Sequence, residues 1–472
     1  MAQRIWSKDL CVIKRMNLLS RYSALAMIGT LGLANHVVHA EEAPNSEPAF
    51  QTPVVSDPML VAPSAASGQV KNWEDALALI RSRSPDYLGS SESIARAEAQ
   101  KRIALAAVLP TLTGLASYTH NFITADVPLG GGVLVTPPPN IFSLGATASW
   151  NIVNPRGYYG VSTADKSIDA ARLAFEDRRR EIATIVIAAF LATLAAERVA
   201  ELNRVGLRTA LERLELTQTR LHFAKGTPLD VDRAQQDVAT ARAQLIAGDE
   251  SLQQAREALG QVLGSRIALS APGTLDLEGL ERAVARTCRL NTDLEQRPDV
   301  ATARLHVELA ERHVRDAELQ LSPTISVGSQ AGYVSAVTFG PKAALAVQGT
   351  LTVPFYDGGA RYGAKRDAQA AVQQARQALE AARINAIVTS ARAERAVTVL
   401  QSSRDVVREQ RDLAARVDQR TRSGYLQGLG TSLDLVTSAQ ALRQSEISLA
   451  LLDFQVAQAR ANAYLVNAEC AY

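Results

Sequence analysis

Apolar and polar residues alternate along this chain with two different periods, and both periods occur twice in the same order. Phe142, Leu144, Ala146, Ala148, Trp150 and Ile152 alternate with Ser143, Gly145, Thr147, Ser149 and Asn151. Further on, Leu345, Val347, Gly349, Leu351, Val353 and Phe355 alternate with Ala346, Gln348, Thr350, Thr352 and Pro354. A period of two over about eleven residues predicts a strand with one apolar face, long enough to cross a membrane at a tilt. Weaker alternation from Leu112 to Phe122, and at Ile325, Val327, Ser329, Ala331 and Tyr333, predicts two more strands.

Between the strands the spacing changes to three and four. Leu207, Ala210, Leu214, Thr217, Leu221 and Ala224 lead into the turn Gly226-Thr227-Pro228. The spacing resumes at Val231, Ala234, Val238, Ala241 and Leu245 and runs on to Val262. Leu435, Ser438, Leu442, Ser445 and Leu449 keep it as far as Val466. So narrow a seam, rich in small residues, predicts coiled-coil pairing, where an ordinary amphipathic helix would show a wider apolar stripe. Asp165 to His222 lacks proline and predicts one helix of 58 residues, ~87 Å long. A helix from Trp73 to Val108 should stop at Pro110, and its counterpart from Pro298 to Leu321 at Pro323. Val231–Val262 (32 residues) and Asp86–Leu109 (24 residues) laid end to end nearly equal the long helix. Each half should therefore build a long antiparallel hairpin whose return leg is two helices stacked tip to tip.

The recurrence extends to identities. Pro85-Asp86 and Pro110-Thr111 return as Pro298-Asp299 and Pro323-Thr324, an offset of 213. Tyr159-Gly160 returns as Tyr362-Gly363 at 203. Ala171-Arg172, Gly226-Thr227-x-Leu229-Asp230 and Ala255-Arg256 return at 204 as Ala375-Arg376, Gly430-Thr431-x-Leu433-Asp434 and Ala459-Arg460. So long a period excludes a short-repeat solenoid and indicates a duplicated unit of helix, strand, strand, long helix, turn and helix. The fall from 213 to 203 gives the first copy ten extra residues between Pro110 and Tyr159. The glycines at 130 to 132 fall there, in a hairpin loop where no phosphate site is expected.

Composition narrows the class. The 472 residues are 47% hydrophobic but only 5% aromatic, which favours long packed helices. A net charge of +2, with no basic stripe, gives no sign of nucleic-acid binding. Lys14, Arg15 and Arg21 ahead of apolar Ala24–Ala34, then Val38-His39-Ala40, read as an export signal. Eleven apolar residues are too few for a spanning helix. The expected organisation is a signal peptide (1–40), a disordered lead-in (41–70), the first repeat (71–265), an inter-repeat segment (266–292), the second repeat (293–467) and a C-terminal tail (468–472). No apolar run of eighteen follows the signal, so membrane entry requires strands closed into a barrel.

These features resemble the TolC-type outer-membrane factor family. The resemblance rests on Trp73-Glu74-Asp75-Ala76-Leu77, Leu109-Pro110, Phe355-Tyr356-Asp357-Gly358-Gly359, the two Gly-Thr-x-Leu-Asp turns and Ala439-Gln440. It spans roughly residues 71 to 467. In the first copy Asn154-Pro155-Arg156-Gly157 replaces Asp357-Gly358-Gly359-Ala360. The resemblance implies a mainly α chain with a membrane β-barrel. A homotrimer would share one twelve-stranded barrel in outer-membrane lipid, continuing into a helical tunnel across the periplasm. It further implies an exit channel for efflux or type I secretion, working with a periplasmic adaptor and an ATP-driven or proton-driven inner-membrane pump. A soluble periplasmic coiled-coil scaffold is the alternative, but it leaves the duplicated strands unexplained.

No catalytic, cofactor or metal constellation is expected. His120 and His222 stand apart, and His306 and His313 share a helix face without a third ligand. Asp230 and Asp434, with Asp232 as a weaker companion, are candidates for an acidic constriction at the periplasmic entrance. The competing reading makes them helix-start residues offsetting the dipole. Crowding of like charges would raise their pKa values. Gly226, Thr227, Gly430 and Thr431 are the candidate adaptor-docking tips. Cys288 and Cys470 form a candidate disulfide near the tunnel's equator, and two buried thiols are the alternative.

Overall fold

The computed structural model describes residues 55–129, 132–271, 277–291, 293–336 and 342–470. The export signal, the start of the lead-in and Gly130-Gly131 lie outside the described residues. Eight helices are described: α1 (Trp73–Arg83), α2 (Pro85–Ala106), α3 (Pro155–His222), α4 (Pro228–Val262), α5 (Leu277–Thr287), α6 (Pro298–Leu319), α7 (Ala360–Leu426) and α8 (Ser432–Leu465). The described strands are β1 (Gly68–Gln69), β2 (Thr111–His120), β3 (Ala125–Leu129), β4 (Gly132–Thr136), β5 (Asn140–Val153), β6 (Leu269–Ser270), β7 (Cys288–Leu290), β8 (Thr324–Val334), β9 (Ala343–Thr352) and β10 (Ala468–Cys470). The expected order within each copy holds. The first copy's extra residues include the β3–β4 hairpin.

Prolines account for two departures from expectation. The helix expected from Trp73 to Val108 is interrupted, because Pro85 forces Ser84 into extended backbone (φ −67°, ψ 119°) and then opens α2 at its first turn. The long helix begins ten residues earlier than Asp165, at Pro155. Proline breaks a helix interior but suits its first position, and Asn154 caps the start by accepting from the Gly157 N–H at 2.9 Å. In the second copy Asp357 takes that role, accepting from the N–H groups of Gly359 and Arg361, with Gly359 left-handed at φ 92°. Two different turn chemistries thus serve one junction.

α3 pairs with α4 below the equator and with α2 above it, and α7 pairs likewise with α8 and α6. At 22 and 35 residues, α2 and α4 together are shorter than the 68 of α3, yet they meet end to end, with Gly264 just past α4 packed against Arg83 and Ser84 just before α2. The main core fills that level. Trp73, Leu77 and Ile80 of α1 meet Ile182, Val186, Ile187, Phe190 and Leu191 of α3, with Leu259, Leu263 and Leu465 closing the cluster. The Trp73 indole donates to Thr287 Oγ1 at 3.1 Å. α3 also contains a stretch apolar enough by length and composition to cross a membrane. Its Ile182, Val186, Ile187, Phe190, Leu191 and Leu194 are spent on this core, whereas Ile185 is exposed.

Two short sheets tie the connecting segments to the equator. β1 runs parallel to β6, and β10 runs antiparallel to β7 with Cys470 opposite Cys288. Those two buried residues are joined by a disulfide. The lead-in, expected to be disordered, is packed from residue 57: Met59 and Leu60 lie on α3 and α4, and Gly68–Gln69 forms β1. The tail residues 468–470 are likewise a strand and not a loose end.

The larger sheet has the order β2-β5-β8-β9, antiparallel throughout, leaving β2 and β9 as edges. Its register sorts the side chains. Thr111 and Thr113 oppose Ser149 and Thr147, Thr147 opposes Gln330, and Ser326 opposes Thr350. On the other face Leu112 opposes Ala148, Tyr118 opposes Phe142, Trp150 opposes Val327 and Ile325 opposes Leu351. β9 ends at Thr352, so Val353 and Phe355 lie beyond the strand to which the alternation assigned them.

Candidate functional site

Two regions are built for function: the four-stranded sheet at one end of the helices and the hairpin tips at the other. On the sheet, Leu112, Leu345, Val347 and Leu351 are largely exposed, all on the apolar face. Aromatics sit at both ends of that face, Tyr118 and Phe142 at one and Trp150 at the other. Phe142 and Trp150 are eight residues apart, ~27 Å along the strand and ~20 Å in depth at a membrane strand's tilt. The opposite face carries a hydroxyl ladder in which Thr111 Oγ1 meets Ser149 Oγ at 2.8 Å. An apolar band between aromatic belts, backed by a polar face, is the pattern of a strand between lipid and water.

The tips repeat one design. α3 ends as the Lys225 N–H donates to the Arg220 carbonyl at 2.8 Å, and α7 as the Leu429 N–H donates to the Gly424 carbonyl at 2.9 Å. The left-handed residue in the second turn is Gly428 (φ 79°), whereas the first turn uses Ala224 (φ 56°). Each following helix opens with a capping box. Thr227 N–H donates to Asp230 Oδ2 at 2.9 Å, and Thr431 N–H donates to Asp434 Oδ2 at 3.2 Å. These bonds hold both carboxyls below the ordinary aspartate value. The largest influence on Asp230 is the Ser432 hydroxyl, and on Asp434 the Thr431 hydroxyl. Within one chain the shift is therefore opposite to that expected from like-charge crowding. Helix capping is part of what these residues do. Asp232 and Asp434 are exposed, whereas Asp230 is half-buried.

Sequence reasoning missed what joins the two tips. The Ser432 hydroxyl donates to Asp230 Oδ1. Arg220 donates to the Tyr425 carbonyl and lies 4.3 Å from its ring centroid. Higher up, the buried carboxylate of Asp237 on α4 accepts from Arg213 of α3, and from Gln440 Nε2 of α8 at 3.0 Å. Arg443 lies in the same cluster against Gly206, where a Cβ would come within 2.5 Å of its Cδ. Burial pushes the Arg443 guanidinium below its ordinary value, and Asp237 opposes that shift. The available signal was a charge at 237 beside the seam positions 234, 238 and 241.

The arrangement defines a class of protein: a membrane sheet continued by paired helices far longer than a packed domain needs. The chain belongs to the outer membrane efflux protein family, which matches residues 76–265 and 290–466. It is 24% identical over 314 residues to the pyoverdine export outer membrane protein OpmQ of Pseudomonas putida, covering 64% of this chain and 65% of that one. It is 23% identical over 286 residues to the fusaric acid resistance protein FusA of Burkholderia cepacia, covering 56% and 50% respectively. The chain thus spans between half and two thirds of the curated relatives it matches. The fold is that of the CusC transmembrane channel structure, with a TM-score of 0.72 at 19% identity over 89% of this chain and 98% of that one. Family and fold place the protein in the outer membrane, with its helices reaching into the periplasm.

Proposed function

We propose that this chain is the exit duct of a tripartite efflux or type I secretion system. Three copies close a twelve-stranded barrel whose wall continues as a helical tunnel, and its tips dock a periplasmic adaptor joined to an inner-membrane pump. The observation that carries the reading is the pair of bare edges. The outer edges of β2 and β9 are unpaired among the described residues, and open strand edges are intolerable in lipid. A second observation agrees with it. Among the described residues of α7 only Val372, Ala386, Ala393 and Tyr425 are buried, while Val399, Val406 and Leu413 form an exposed heptad row awaiting a neighbouring helix. The tips also expose Phe223, Leu229, Leu429 and Leu433, an apolar rim suited to a partner's helices. Asp434, with Asp230 and Asp232, is the proposed acidic constriction. The membrane unit is divided between the repeats 71–265 and 293–467. Chemical crosslinking in mild detergent should yield three chains and no stable monomer, and a folded, monodisperse monomer would refute the assembly.

A further inference from the structure

Among the described residues, the first hairpin carries a strap that the second lacks. Asp57 turns the chain by accepting from the Met59 N–H at 2.8 Å, and its other oxygen accepts from Arg242 at 2.7 Å. Met59 and Leu60 press onto Leu207, Ala210, Val238, Ala241 and Leu245, with Leu211 and Leu214 alongside. Arg256 then donates to the Ser64 carbonyl at 3.3 Å, and the segment reaches the equator as β1 on β6. Asp57 to Ser64 is seven residues, ~24 Å if extended, and Arg242 to Arg256 is fourteen helical residues, ~21 Å. Pro58–Leu60 coils into one 3-10 turn in the groove, and from Val61 the strap runs on along α4, anchored at both ends.

Duplication supplies the control. At the offset of 204 the second hairpin places Arg411 for Leu207, Ala415 for Leu211 and Asp418 for Leu214. It also places Ser445 for Ala241 and Glu446 for Arg242. Ala414, Leu442 and Leu449 keep their positions apolar, but Arg411, Asp418 and Ser445 make the seat part polar and charged, and a strap carboxylate would face Glu446 instead of an arginine. That groove satisfies itself, with Ser438 donating to Asp418 at 3.1 Å. The apolar seat and its arginine thus belong to the copy that holds the strap.

We propose that Asp57–Val61 is a resident plug that makes the two hairpins inequivalent to a docking partner. Resting on the docking function proposed above, the partner is a helical protein that packs apolar side chains against the exposed Phe223, Leu229, Leu429 and Leu433 of the tips. It enters the second hairpin's groove to the height of Ala415, but meets the first only below Val238, the last ~15 Å before the turn.

The test replaces residues 57–61 with a Gly-Ser run of equal length in the full chain, with Met59→Ser/Leu60→Ser as a milder variant, after checking that both assemble. Leu211→Cys or Leu214→Cys in the purified channel should react with a thiol reagent at least tenfold faster without the plug. A synthetic peptide of residues 55–70 should restore protection. Equal rates with and without the plug would overturn the proposal. In cells, a photo-crosslinking residue at Lys225 or Ala415 should form adducts with a periplasmic adaptor, identified by mass spectrometry. One at Leu211 should do so only in the plugless variants. Adducts at Leu211 in the intact channel, or none at Ala415, would overturn the proposal while sparing the docking function. Loss of adducts at Lys225 as well would overturn both.

Discussion

Removing the Asp237 carboxylate should loosen the tip half of the helices more than any other single polar change near the tips. Its side chain is 0% exposed and that of Arg213 only 13%. Asp237 accepts from Arg213 Nε at 3.2 Å and from a second guanidinium nitrogen, and from Gln440 at 3.0 Å. Asp237→Ala would leave Arg213 and the nearby Arg443 desolvated around a missing counter-charge. Breaking a buried pair in this way costs about 3–5 kcal/mol, mostly as the penalty on the charge left behind. That corresponds to roughly a 10²- to 10⁴-fold rise in local opening. Hydrogen exchange of α3 and α4 amides near the pair reads this directly, because sub-global opening has its own free energy. Arg213→Met with Asp237→Leu should recover most of the loss, since an apolar replacement of both partners carries no orphan charge. If Asp237→Ala shifts exchange by less than ~1 kcal/mol and adds simply to Arg213→Ala, the buried-pair argument is wrong.

Three further outcomes are expected. Ala224→Gly should stabilise the first tip by ~0.5–1 kcal/mol in a hydrogen-exchange or thermal assay, because φ 56° penalises a Cβ that Gly428 avoids in the second tip; a loss of stability would contradict this. Single cysteines at Thr147, Ser149, Thr350 and Thr352 should react with a membrane-impermeant thiol reagent while those at Ala148 and Trp150 stay protected, and the reverse pattern would mean the sheet faces lipid with its polar side. Asp434→Ala, alone or with Asp230→Ala, should lower cation selectivity and trivalent-cation block in planar bilayers without loss of trimer. Because the carboxyls of Asp230 and Asp434 sit below their unfolded value, their contribution is complete above that value and disappears only as pH falls through the lower, folded one. Selectivity should accordingly hold from neutral pH down to about pH 4, and an earlier decline would indicate charge crowding between chains.

The sequence made the architecture legible because both periods are long and repeated: alternation marked the strands, and the three-four seam marked the hairpins. Lone prolines were less legible, since Pro85 and Pro155 act at the first turn of a helix while interior proline acts against one. The strap was invisible, because residues 57–61 have the composition of a linker and acquire structure only from a groove built 150 residues later. Asp230 and Asp434 stood out through their motif. Their partners Ser432, Thr227 and Thr431 carry the physical chemistry.

The points where the two copies part company are informative in the same way. A duplicated unit gives two hairpins with the same capping box and the same turn length, so differences between them measure what each has to face. α3 is buried by α4, α8 and α6 within its own chain, whereas α7 keeps Val399, Val406 and Leu413 exposed. One long helix is thus finished internally, and the other is left for a neighbour. The Asp237 cluster lies on the boundary between the hairpins, joining α3 and α4 to Gln440 of α8. A buried charge there specifies register, since sliding either hairpin by one turn would strand it. Apolar seams made largely of alanine and leucine tolerate such slippage, and the polar cluster removes that freedom close to the tips, where the position of each carboxylate matters most.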